Sequence, residues 1–171
     1  MGVEPLPKLT AAADASFLIG LCFIDQVHLL RSVFGAVHVA AAVWEEVVLR
    51  GKGKPGVDQI QQADFIQRHQ VQNQATVSML RVFLGTGAAE TLALAQEMGC
   101  PLVLMDDLKA RKAAQQAGIR TMGVVGFLLA AKRCGLIKEV RPLLETLNAR
   151  GFRIGRTLIQ RALQDASENP E

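Results

Sequence analysis

Residues 101–134 read PLVLMDDLKARKAAQQAGIRTMGVVGFLLAAKRC, and this stretch decides the fold. Pro101 to Met105 is a short apolar run closed by Asp106 and Asp107, the pattern of a buried strand. Leu108 to Ala117 follows as a helix that Gly118 stops. Ile119 to Met122 gives a second short strand, and Gly123 to Cys134 a nearly all-apolar helix ended by Gly135. Strand–helix–strand–helix with apolar strands indicates a parallel sheet covered on both faces.

Upstream the same alternation is weaker. Lys8 to Ala13 is a first strand candidate, although Ala is a poor strand former. Ser16 to Cys22 predicts a short helical turn, Ile24 to Phe34 an amphipathic helix, and Ala36 to Val39 a short strand. Ala40 to Leu49 predicts a helix with Gly51 as its stop. Gly51 to Gly56 is the clearest loop in the chain; it lacks the Gly-Lys-Ser/Thr ending of a phosphate loop and reads as a connector. Val57 to Gln62 predicts a helix, Phe65 to Val71 a strand, and Ala88 to Met98 a helix started by the turn Gly85-Thr86-Gly87. Downstream, Ile137, Val140, Leu144 and Leu147 mark one helix face, and Ile154, Leu158, Ile159 and Ala162 another. Residues 1–8 and 166–171 read as loose ends.

The 171 residues suit one domain, with a core over about 9–135 and C-terminal helices over about 136–166. Half of the chain is hydrophobic, ample for a core. The longest apolar stretch, Met122 to Ala131, is too short to span a bilayer, and Met1 to Lys8 lacks the features of a secretory signal, so a cytoplasmic protein is expected. Cys22, Cys100 and Cys134 form no pair pattern, and His28, His38 and His69 show no ligand spacing; both facts argue against zinc. The net charge of +3 is uneven: residues 106–161 hold twelve Lys and Arg against Asp106, Asp107, Glu139 and Glu145. That suits a polyanionic substrate, and equally a set of solvated helix faces. With no Tyr, one Trp and seven Phe, composition does not favour recognition by base stacking.

Four acidic positions stand next to apolar segments: Asp14, Glu46, Glu90 and Asp106, with Asp107 beside the last. Asp14 and Asp106 lie at the carboxyl ends of predicted strands, where ligands gather in open parallel sheets. Carboxylates brought together near a core need a cation, and hard divalent ions take oxygen ligands of this kind. Each residue also has a plainer role. Asp14 can cap a helix, Glu90 can favour a helix dipole, and one of Asp106 and Asp107 can cap the helix at Leu108. Spacing does not decide between Glu45 and Glu46.

Together these segments resemble the PIN-domain family of metal-dependent nucleases. Asp14-Ala15-Ser16-Phe17-Leu18-Ile19 is similar to the family's opening Asp-x-Ser/Thr. Val43-Trp44-Glu45-Glu46-Val47 resembles its second acidic segment, with the match on Glu46. Gly87 to Ala95 resembles a Gly-Glu-Ala-Glu-Ala segment, with Glu90 on the later Glu, and Leu102 to Arg111 resembles the strand followed by Asp-Asp. Ile119 to Gly123, Ala131 to Ile137 and Gly151 to Ile154 are similar to a prokaryotic PIN-like subgroup. Ala88 departs from the subgroup's first Glu, and Leu104 from the Thr of many VapC-type toxins.

The resemblance implies a three-layer α/β/α domain with a central parallel sheet and C-terminal helices. It implies a catalytic set of Asp14, Glu46, Glu90 and Asp106 holding Mg²⁺ or Mn²⁺, Asp107 as a further metal ligand, and Ser16 and Arg111 in support. It implies an endoribonuclease, a toxin checked by an antitoxin protein, working as a homodimer. Two other readings stay open: a PIN-like module that binds nucleic acid or protein without cutting, and a phosphohydrolase of small molecules. A Rossmann module is disfavoured because no Gly-x-Gly-x-x-Gly follows the first strand.

Overall fold

The strand Leu9–Ala13 (β1) lies at the centre of a five-stranded sheet, and Ala11, Ala12 and Ala13 are fully buried in it. Alanine suits this place despite its low strand propensity, because small side chains let helices close on both faces. The computed structural model describes residues 8–168. The expected features of residues 1–7 and of residues 169–171 lie outside the described residues.

From β1 the chain forms α1 (Ala15–Phe23), α2 (Leu29–Val33) and β2 (Phe34–Ala40). It continues through α3 (Ala41–Trp44), a π-helical turn (Glu45–Leu49), α4 (Val57–Gln62) and β3 (Ile66–His69). Then come α5 (Gln74–Leu80), α6 (Thr86–Met98), β4 (Leu102–Leu104), α7 (Leu108–Gln116) and β5 (Arg120–Met122). Three helices finish the described chain: α8 (Val124–Arg133), α9 (Arg141–Ala149) and α10 (Arg156–Asp165).

All strand pairs are parallel, in the order β3-β2-β1-β4-β5. α6 packs across β2, β1 and β4 with α5 and α7 against it, while α1 packs with α8 and α9. The result is the expected three-layer α/β/α arrangement. The strand order reverses between β1 and β4, which are neighbours in the register Ala12↔Val103 and Ala13↔Leu104. The Asp14 N–H extends this ladder to Leu104 O at 2.9 Å. Asp14 and Asp106 thus leave adjacent strands at the switch point, the place where open parallel sheets bind ligands.

Three expectations need correction. Residues 24–34 are not one helix. Asp25 adopts a left-handed conformation (φ 54°), and its N–H and that of Gln26 bond back to Cys22 O and Leu21 O, which closes α1. Phe34 then opens β2, so an apolar spacing that reads as one helix spans a helix end, a short helix and a strand start. Ile137 precedes α9, which begins at Arg141 with Pro142 in its first turn, and Ile154 likewise precedes α10, which begins at Arg156 and leaves Leu158 exposed. The end of the chain is tied down as far as Glu168, whose carboxylate takes Lys132 Nζ at 2.7 Å and the N–H groups of Val140 and Arg141. His38 and His69, distant in sequence, meet across β2 and β3, with Nδ1 and Nε2 2.9 Å apart.

Candidate active site

A cleft of about 610 Å³ opens at the carboxyl edge of β1. Asp14 and Ser16 enter it from the start of α1, Glu45 and Glu46 from the π-helical turn, Asp107 from the start of α7, and Gly87 from the first turn of α6.

Asp14 is only 6% exposed. Its Oδ1 accepts from Ala15 N–H at 2.8 Å, so it caps α1, and the Ser16 hydroxyl donates to Oδ2 at 3.5 Å. Burial pushes its carboxyl up to about 6, and the charges of Glu46 and Asp107 add to the rise. A buried carboxylate facing two others is a site that gains from a cation.

Glu45 and Glu46 both reach the cleft because the helix changes pitch beneath them. The bond from Arg50 N–H to Glu45 O (2.9 Å) spans five residues, and such widened turns recur at functional sites. Gly51 permits it: a Cβ there would stand 2.0 Å from Val47 O. The 3.6-residue period fails in this turn, which is why spacing leaves the two glutamates undecided. The structure separates them by partner. Glu45 pairs with Arg50 at 3.0 Å, whereas Glu46 turns toward Asp14. Asp14 Oδ1 and Glu46 Oε2 each lie 3.6 Å from the point where a Gly87 Cβ would stand. The absent side chain therefore leaves open a space that both carboxylates border.

The other expected residues are close by but engaged elsewhere. Glu90 Oε2 accepts from Ala42 N–H at 3.0 Å and so caps α3, whose own N-cap residue, Ala40, offers no side-chain acceptor. Asp106 accepts from Val124 N–H at 3.0 and 3.2 Å, capping α8. Gly123 makes room for that carboxylate, since a Cβ would come within 2.6 Å of Asp106 Oδ1. Burial raises the Asp106 carboxyl to about 6, while the Val124 N–H and the nearby Arg111 pull it down. Asp107 accepts from Ala110 N–H at 2.8 Å and caps α7, as one of the two aspartates is expected to do. Ser16 links the strands: its Oγ accepts from Asp106 N–H at 3.4 Å. Glu90 and Asp106 do not line the cleft; Asp14, Glu46, Asp107 and Ser16 do. Four helix N-termini are thus satisfied by acidic side chains at one edge of the sheet, where the positive helix ends offset much of the negative charge.

A family model described as a PIN domain matches residues 10–168. The chain belongs to the PIN-domain family. PIN domains have a nuclease-type fold and are generally metal-dependent nucleases, so a nucleic-acid substrate is implied. No curated protein matches this chain. Among the described residues no three His, Cys, Asp or Glu groups form a ready cage for an ion. The donor set still suits Mg²⁺, which keeps several waters and takes only one or two carboxylates. Asp14 and Glu46, facing each other beside Gly87, supply that number.

Sequence reasoning passed over Arg50, Phe83 and Lys109, which also line the cleft. Nothing in their local sequence sets them apart. Only the convergence of the π-helical turn's end, the loop before α6 and α7 on this PIN domain's cleft brings them in. None of the described helices is long and apolar enough to cross a membrane.

Proposed function

We propose that this PIN domain is a Mg²⁺- or Mn²⁺-dependent endoribonuclease. The observation that carries the reading is Asp14: a buried carboxyl raised to about 6, facing Glu46 across Gly87 at the sheet's switch point. Asp14 and Glu46 are the residues to hold the ion. Once bound, the ion would polarise the scissile phosphate and acidify an attacking water. The Ser16 hydroxyl and the Ala15 N–H fix the orientation of Asp14. Asp107 adds negative charge at the same wall, and Lys109 supplies a cation for the substrate. Glu90, Asp106 and Arg111 act through position: the first two hold the starts of α3 and α8, and Arg111 lies against Asp106. We assign the protein the role of a toxin paired with an antitoxin and acting as a homodimer in the cytoplasm. Family resemblance supports that role.

Cleavage of unstructured RNA in Mg²⁺, its loss in EDTA and its loss in Asp14→Asn are the expected results. Cleavage that survives both would remove Asp14 and the metal from the reaction. One observation favours a second reading, a module that binds nucleic acid without cutting. Glu90, Asp106 and Asp107 all accept helix N–H groups, and Ala88 adds no acid. Salt-dependent RNA binding with no cleavage in either ion would support it.

A further inference from the structure

A second cleft, of about 580 Å³, lies beside the first, and Ser16 and Asp107 line both. Ser16 and Asp107 thus stand on the border of the two, whose walls differ. Asp14, Glu45, Glu46 and Asp107 dominate the first. In the second, Asp106 and Asp107 are turned to the N–H groups of Val124 and Ala110, and the cations are Arg111 and Arg153. Arg111 is committed, with Nε near Thr121 Oγ1 at 3.4 Å and its guanidinium near Asp106. Arg153 is exposed and has no hydrogen bond or ion pair among the described residues.

The loop that carries Arg153 is firmly built. Phe152 presses its ring on α1, 3.0 Å from the place of a Gly20 Cβ, and its N–H donates to Leu147 O at 2.9 Å. Ile154 is buried, and its N–H donates to Asn148 Oδ1 at 3.1 Å. Anchors on both sides leave the side chain between them on the cleft wall. Exposed Arg150 and Arg156 flank the loop in the chain, and residues 146–164 contain four Arg and no Asp or Glu. Every cation there is Arg, whose planar fork matches phosphate oxygens. Clefts of this size admit a single strand, whereas a duplex presents its phosphates on a cylinder too wide to enter.

We infer that the loop 151–155 holds the phosphates of a single-stranded nucleic acid that runs from the carboxylate cleft, across Ser16 and Asp107, into the second cleft. The inference rests on the nuclease reading for the end at Asp14, and it makes Arg153 one phosphate contact of the strand. The same band holds four of the twelve Lys and Arg of residues 106–161.

The test is fluorescence anisotropy of a short labelled oligouridylate, titrated in EDTA so that no cleavage intervenes, over a series of salt concentrations. Arg153→Ala should weaken binding roughly fivefold, the upper range for one exposed charge contact. It should also flatten the salt slope by about 0.7, the value for one phosphate contact on a single strand. Arg153→Lys should restore most of the slope, and Arg68→Ala on the edge strand β3 should change neither quantity. Unchanged affinity and slope in Arg153→Ala would overturn the inference. So would wild-type protein that shows no salt-dependent binding, or Arg68→Ala matching Arg153→Ala. A wild type that binds through Arg153 but never cleaves in Mg²⁺ would defeat the nuclease reading and leave the binding track standing.

Discussion

Replacing Asp14 by Asn should stabilise this protein when divalent ions are absent. The Asp14 carboxyl stands at about 6 in the fold against 3.8 for an unperturbed group. At pH 7.5 it is ionised whether folded or unfolded, so the difference is a folding penalty carried by the charge. At 1.36 kcal/mol per pH unit, the penalty is about 3 kcal/mol. Asparagine carries no charge and keeps an Oδ1 that can accept from Ala15 N–H. For a chain of this size each kcal/mol moves Tm by roughly 2–4 °C, so Asp14→Asn should melt about 6–12 °C higher in EDTA. The ordering should then narrow in Mg²⁺. An ion at one hundred times its dissociation constant stabilises the wild type by about 2.7 kcal/mol and has one carboxylate fewer in the mutant. Scanning calorimetry of both proteins, in EDTA and in Mg²⁺, reads all four values. A mutant that melts at or below the wild type in EDTA would refute the reasoning. So would a mutant that gains as much from Mg²⁺ as the wild type does.

Three further outcomes follow from the same geometry. The raised carboxyls of Asp14 and Asp106 contribute stability that is complete below about pH 3.8 and lost as pH climbs through about 6; urea titrations in EDTA should show stability falling from pH 5 to pH 7, and a rise over that range would contradict the burial argument. Gly87→Ala should leave α6 as stable or up to about 1 kcal/mol more so, because Ala is the better helix former. Its methyl stands 3.6 Å from both Asp14 Oδ1 and Glu46 Oε2, so Mg²⁺ affinity by calorimetric titration should drop at least about tenfold, and undiminished affinity would place the ion elsewhere. Glu90→Ala uncaps α3 and should cost about 1 kcal/mol in chemical denaturation, whereas Glu90→Gln keeps an acceptor for Ala42 N–H and should cost less; equal losses in the two variants would deny the capping role.

The sheet was legible because glycines punctuate the helices after it and apolar runs end in aspartates. Pro101 to Gly135 folds nearly as its pattern reads. The readings that failed are those in which a tertiary demand overrode a local one. Asp25 accepts a left-handed conformation to close α1, so the periodicity of residues 24–34 breaks where no Gly or Pro announces it. Glu45 and Glu46 lie on a π-helical turn, where a 3.6-residue reading has no authority. The acidic residues stood out in the sequence, but their partners did not, and only Asp14, Glu46 and Asp107 of the expected set line the cleft. That Glu90 turns to α3, forty-eight residues away in the chain, follows from how α6 crosses the sheet, and nothing near Glu90 in sequence encodes it. Arg153 had the opposite fate: it lies in a quoted motif, yet its place on the cleft wall depends on Phe152 finding Gly20.

The proposed reaction needs a divalent ion held by Asp14 and Glu46. The most direct measurement is a crystal of the protein soaked in Mn²⁺ above pH 7 and read by anomalous scattering. A peak beside Gly87, within bonding distance of an Asp14 or Glu46 oxygen, is the expected result. No peak there at saturating Mn²⁺, or a peak only against Asp106 and Arg111, would contradict that placement of the ion.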